Sequence, residues 1–176
     1  MSFFANILSG IDLGSNWLLI LFFLATGAFL GIVLGRNKLG LIVVSGYLSF
    51  IICKFIPWSV FLGRNNAPDV NAQIFLFFAI ILAIFFIAPY SGLSGTLRIA
   101  GRGRSAFWQL AILGILEVGF IVSAVMSFLP AKTIVDLGSL AERFFADPLA
   151  RFLWLVLPLI AIMALKKKRT YLSGEE

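Results

Sequence analysis

Histidine is absent from this sequence, cysteine occurs once, and charged side chains make up only 12% of its 176 residues. Without histidine, histidine-based catalytic triads and most zinc sites are excluded. The lone Cys53 rules out an internal disulfide, and its place inside an apolar run suits a small packing residue. Residues 1–16 hold no lysine or arginine, so the positive opening of a cleavable signal peptide is missing and the first apolar run is expected to be retained. No pair of acids stands at a spacing that would hold a divalent metal within one helix, and no cofactor is expected. Polar stretches are too short to form a separate soluble module, which argues against nucleic-acid binding despite the net charge of +6.

What fills the chain is apolar: 61% of the residues are hydrophobic and the mean hydropathy is +1.04. A soluble domain of this length could not carry so much apolar surface in water. In a bilayer the backbone must satisfy its own hydrogen bonds, and continuous runs near 20 residues favour helices over short alternating strands. The expected fold is therefore all-α, a polytopic bundle of about five spans in which a four-span core precedes a C-terminal span.

The pattern predicts spans over Trp17–Gly35, Leu39–Leu62, Ile74–Tyr90, Ala106–Leu129 and Leu149–Leu165. Residues 1–16 are read as an interfacial segment, because Phe3, Phe4, Ile7, Leu8 and Ile11 recur at helical spacing before Gly14 and Ser15. Residues 17–129 make up the four-span core. Between Pro130 and Pro148, Leu137, Leu140, Ala141, Phe144 and Phe145 share one helical face while Asp136, Ser139 and Arg143 share another, the signature of an amphipathic interfacial helix. Residues 149–165 form the fifth span and 166–176 a basic tail.

Basic residues give the orientation. With the N-terminus outside, Arg36, Lys38, Arg98, Arg102, Arg104, Lys166, Lys167, Lys168 and Arg169 fall on the cytoplasmic side. Arg64, Lys132, Arg143 and Arg151 fall outside, and Lys54 stays within the second span. The bias of nine to four alternates consistently along the chain. Trp17, Trp58, Trp108 and Trp154 all fall near expected span ends, where indole favours the headgroup interface.

Small residues recur at four-residue spacing. Gly27, Gly31 and Gly35 in the first span, Gly119, Ser123 and Ser127 in the fourth, and Gly46, Ser49 and Cys53 in the second all allow close backbone approach. They serve packing within one chain or the face of a homo-oligomer. Lys54 and Glu117 are the ionisable residues well inside apolar runs, at about 22 Å and 15 Å from the inner ends of their helices. Leaving either charge unpaired there costs several kcal/mol. Either the two pair or line a polar pathway, or Lys54 snorkels outward while Glu117 stays neutral or bonds Ser123 or a neighbouring helix. The glycine-rich stretch from Ser91 to Arg104 lacks the spacing of a phosphate-binding loop and follows no strand. Its Arg98, Arg102 and Arg104, with Lys166, Lys167, Lys168 and Arg169, are expected to touch anionic lipid headgroups.

Gly92-Leu93-Ser94-Gly95-Thr96-Leu97-Arg98, then Gly101 and an apolar span, resembles the colicin V production protein family. Gly35, Arg36 and Lys38 at the end of the first span are similar to that family in a second place, and the likeness covers roughly residues 15–147. The chain departs from the family at Leu97, where an acid is usual, and in its fifth span with a basic tail. The resemblance implies a multi-pass protein of the bacterial inner membrane, linked to toxin export and envelope processes, with no catalytic residues. The expected role is thus a non-enzymatic accessory or scaffold protein whose partners are the bilayer, anionic headgroups, and further copies of itself or other membrane proteins. The alternative is a small channel or transporter with Lys54 and Glu117 along its route. A lipid-modifying enzyme centred on the Arg98 to Arg104 loop has the least in its favour.

Overall fold

The computed structural model describes residues 13–58, 69–87, 90 and 105–166, and every regular element among them is helical. Helix α1 (Leu13–Phe55) is one run of helix broken at Gly35, whose φ of 67° and ψ of 176° lie outside the helical region. Its two apolar arms, Ile20–Gly35 and Lys38–Phe55, are followed by α2 (Val70–Ile87), α3 (Ser105–Met126), the short α4 (Ala131–Asp136) and α5 (Ser139–Ala141), a π-turn over Glu142–Ala146, and α6 (Pro148–Lys166).

Gly35 reverses the chain. Gly27 and Gly46 would stand about 28 Å apart along an unbroken helix. Yet they pack on Ile115 and Glu117, two residues apart in α3, so the arms must lie side by side. Along the first arm, Gly31 meets Leu110 and Gly27 meets Ile115, which makes that arm antiparallel to α3. Along the second arm, Gly46 meets Glu117 and Cys53 meets Ala124 and Phe128, which makes it parallel to α3. Helix α3 therefore lies against both arms of the hairpin. Gly35 had been expected to extend the packing groove, but a Cβ there would touch nothing, and its left-handed φ is what calls for glycine.

Helix ends follow local chemistry. The second arm stops at Phe55, short of the expected Leu62, because Pro57 disfavours helical backbone at Ile56. Helix α2 starts at Val70, ahead of the expected Ile74, where the carboxylate of Asp69 accepts from the Asn71 amide at 3.4 Å. Helix α3 tightens into turns after Met126 and ends before Pro130. The expected amphipathic helix over 130–148 is divided instead by Gly138, whose φ of 102° no helix accommodates. A π-turn follows, closed by the Asp147 amide donating to the Glu142 carbonyl at 2.8 Å. Asp147 then caps α6, accepting from the amides of Leu149 at 3.0 Å and Ala150 at 3.4 Å, with Pro148 in the first helical position.

Among the described residues, three helical stretches are long and apolar enough to cross a membrane: Lys38–Phe55, Val70–Ile87 and Phe107–Met126. A fourth crossing exists if Ser139–Ala146 and Pro148–Ala164, bent by 52°, act as one. The stretch Ile20–Gly35 is apolar but shorter, so three to four candidate spans stand where about five were expected. Leu13 to Asn16 are already helical, continuous with the first arm, and residues 1–12 lie outside the described part.

The core between the second arm, α2 and α3 holds Cys53, Phe77, Ile81, Ala124 and Phe128. The outer face of α2 carries Phe75, Phe78, Leu82 and Phe86, all exposed, and only 11% of this span is buried. A helix apolar on every side and covered on so little of it is compatible with a membrane location.

Candidate functional site

The residues with chemistry meet where α3 crosses the hairpin. Glu117 of α3 is 2% exposed and points at the second arm, where a Cβ on Gly46 would stand 2.9 Å from its Oε1. A side chain there would press on the carboxyl and on the Phe120 ring, 3.1 Å away. Phe120, one turn further along α3, stacks on Tyr47 with ring centroids 4.4 Å apart, which sets Tyr47, next to Gly46, on the same side of α3 as Glu117. Both carboxyl oxygens of Glu117 are buried without a hydrogen-bond partner.

The hydroxyl of Tyr47 donates instead to the backbone carbonyl of Leu155 in α6. Pro158 lies in the next turn of α6 and, lacking an N–H, leaves the Trp154 carbonyl, the neighbour of Leu155, without its helical partner. Tyr47 thus ties the second arm to α6 across the face of α3.

The same logic recurs at the π-turn, whose last carbonyls have no helical donor. The Ser123 hydroxyl donates to the Phe145 carbonyl at 3.0 Å, and the Trp154 indole N–H donates to the Phe144 carbonyl at 2.6 Å. Trp154 also stacks on Phe145 at 5.5 Å, and Phe23 of the first arm meets both rings edge-on. Its ring lies over Gly119, so close that a Cβ there would clash with it. Trp154, read from the sequence as a marker of the headgroup interface, is packed here between Gly119, Phe23 and Phe145.

The structure does not bring Lys54 and Glu117 together. The Lys54 ammonium is exposed and sits over the rings of Phe50 and Phe128, 5.7 Å and 5.4 Å from their centroids. Glu117 accepts nothing, and Ser123, its expected partner, serves Phe145. Gly27 and Gly31 pack on α3, and the partner of Gly31 is Gly114, which the four-residue spacing in α3 had not picked out. Its signal was present as a glycine one turn from Leu110, but nothing in a single helix says which face meets a neighbour. Ser127 donates to the Ala124 carbonyl of its own helix at 2.7 Å, and Ser49, expected only as a small residue, donates to the Phe77 carbonyl of α2 at 2.6 Å. Arg98, Arg102, Arg104, Lys167, Lys168 and Arg169 lie outside the described residues, and Lys166 closes α6.

A second polar region lies at the bend. A cavity of about 500 Å³ is lined by Ile134, Val135, Glu142, Arg143, Asp147 and Arg151 among others. The described residues contain no group of histidine, cysteine or acidic side chains placed to hold a metal ion. Compared with known proteins, the chain matches no family model, no curated protein and no solved structure.

Proposed function

We propose that this chain is a non-enzymatic accessory or scaffold protein of the bacterial inner membrane, similar in kind to the colicin V production proteins and working in export or envelope processes. One observation carries the reading. Four side-chain donors within the bundle, those of Tyr47, Ser49, Ser123 and Trp154, each bond a backbone carbonyl of another segment. Such bonds fix one packing of the helices, while the apolar flank of α2 is left for lipid or other membrane proteins. In this reading the N-terminus faces outward, the C-terminal tail is cytoplasmic, and Arg98, Arg102, Arg104 and the Lys166 to Arg169 run hold anionic headgroups.

Purification in a mild detergent, with identification of the proteins and lipids retained, tests it. A reproducible membrane-protein partner, and anionic lipid that is lost when Arg98, Arg102 and Arg104 are changed to glutamine, are the expected results. Solute flux or substrate turnover by the chain alone in liposomes, with no partner retained, would overturn it.

A further inference from the structure

We propose that Glu117 is a proton-binding site inside the bundle, alternating between acid and carboxylate, and that Tyr47 is the group that answers the change. The inference stands apart from the accessory reading and survives its failure.

The observation behind it is a carboxyl that the fold encloses and then leaves unpartnered. Glu117 is 2% exposed, both its oxygens lack hydrogen bonds, and Gly46 keeps a place for it in the facing helix. An ion at that place would have neither water nor a counter-charge, so the described arrangement suits the neutral acid. A carboxyl that merely filled space would gain from a donor, and the hydroxyls around it are committed elsewhere: Ser45 to Ile42, Ser49 to Phe77, Ser123 to Phe145 and Tyr47 to Leu155. A buried polar group left unsatisfied in one state finds its reason in another.

The surroundings narrow what that other state is. Helix α2 has no charged residue, and Glu117 is the charged residue among the described side chains of α3. From the second arm, Tyr47 stands next to Gly46 and stacks on Phe120, one turn of α3 from Glu117, while Lys54 is turned to the rings of Phe50 and Phe128. In α6, Arg151 lines the cavity at the bend. A released proton must therefore leave a carboxylate whose adjacent titratable neighbour is a tyrosine hydroxyl. In that step the O–H bond of the acid breaks, its electron pair stays on the carboxylate, and the proton passes to water. The carboxylate then competes for the Tyr47 hydroxyl, which gives up the Leu155 carbonyl and loosens the second arm from α6.

Infrared difference spectroscopy on the full chain in liposomes tests this. At neutral pH the wild type should show the carbonyl stretch of a protonated carboxyl that Glu117→Gln lacks. The band should fade reversibly as pH rises, together with a tyrosine signal that Tyr47→Phe removes. Identical wild-type and Glu117→Gln spectra would overturn the proposal, and so would a band that stays constant up to the pH at which the bundle unfolds. Should Glu117→Gln fail to fold, labelling of the wild type with a lipid-soluble carbodiimide decides the matter. Modification of Glu117 that exceeds that of Glu142 and falls as pH rises supports a titrating acid; modification of Glu142 alone, or of Glu117 equally at every pH, refutes it.

Discussion

Replacing Gly114 by alanine adds one methyl group to the tightest seam in the bundle. That Cβ would meet the carbonyl oxygen of Gly27 first and would stand 2.6 Å from the Cα and 2.7 Å from the amide nitrogen of Gly31, where ordinary contact begins near 3.4 Å. All three neighbours are backbone, so no side chain can swing aside, and α3 must withdraw from the first arm by about 1 Å. A gap of that size forfeits roughly a quarter to a half of the dispersion attraction at each contact it opens. Overpacking of this kind costs about 3 kcal/mol at the upper end of its usual range. In the other direction, alanine is the better helix former by about 1 kcal/mol. The steric term wins, leaving a net loss of about 2 kcal/mol, close to a 30-fold shift in the unfolding equilibrium. Reversible unfolding by an anionic detergent in mixed micelles, followed by circular dichroism, measures it. Gly35→Ala separates backbone strain from steric overlap, since its Cβ meets nothing and only its φ of 67° with ψ of 176° opposes the change, at about 1–3 kcal/mol. A Gly114→Ala bundle as stable as the wild type would mean that α3 does not lie on the first arm at this register.

Tyr47→Phe keeps the ring on Phe120 and removes the hydroxyl bonded to Leu155, so the same unfolding assay should register a loss of about 1 kcal/mol. Gly138→Ala places a side chain at a φ of 102° and should destabilise the bundle by about 1–3 kcal/mol, whereas Ser139→Ala, on an exposed neighbour, should be nearly neutral.

The sequence carries the helices more plainly than it carries their contacts. Hydropathy marked the apolar stretches because bilayer thickness and helical rise leave little freedom, and proline marked where the second arm and α3 end. The turn between the first two spans was legible at Arg36, Asn37 and Lys38, yet the residue that makes it is Gly35, which spacing alone had assigned to packing. Gly138 was visible as a glycine within an apparently amphipathic run, and the regular spacing of Leu137, Leu140 and Phe144 masked it as a breaker. Contacts between segments distant in sequence left no such trace. The seating of Trp154 on Gly119 and the bond from Ser49 to Phe77 depend on how helices rotate about their axes. Periodicity cannot fix that rotation when almost every face is apolar, and the same blindness left open whether Lys54 and Glu117 meet.

The glycine notch of the hairpin also has a meaning for how the bundle is made. A ribosome delivers both arms of α1 and then α2 before any of α3 exists, so the surface that receives Gly114 faces lipid while the later helices are still being synthesised. Acyl chains fill a narrow backbone groove poorly, and the nascent hairpin is left with a vacancy shaped for one particular helix. Arrival of residues 105–126 expels those chains and sets the register of the whole assembly in a single docking event.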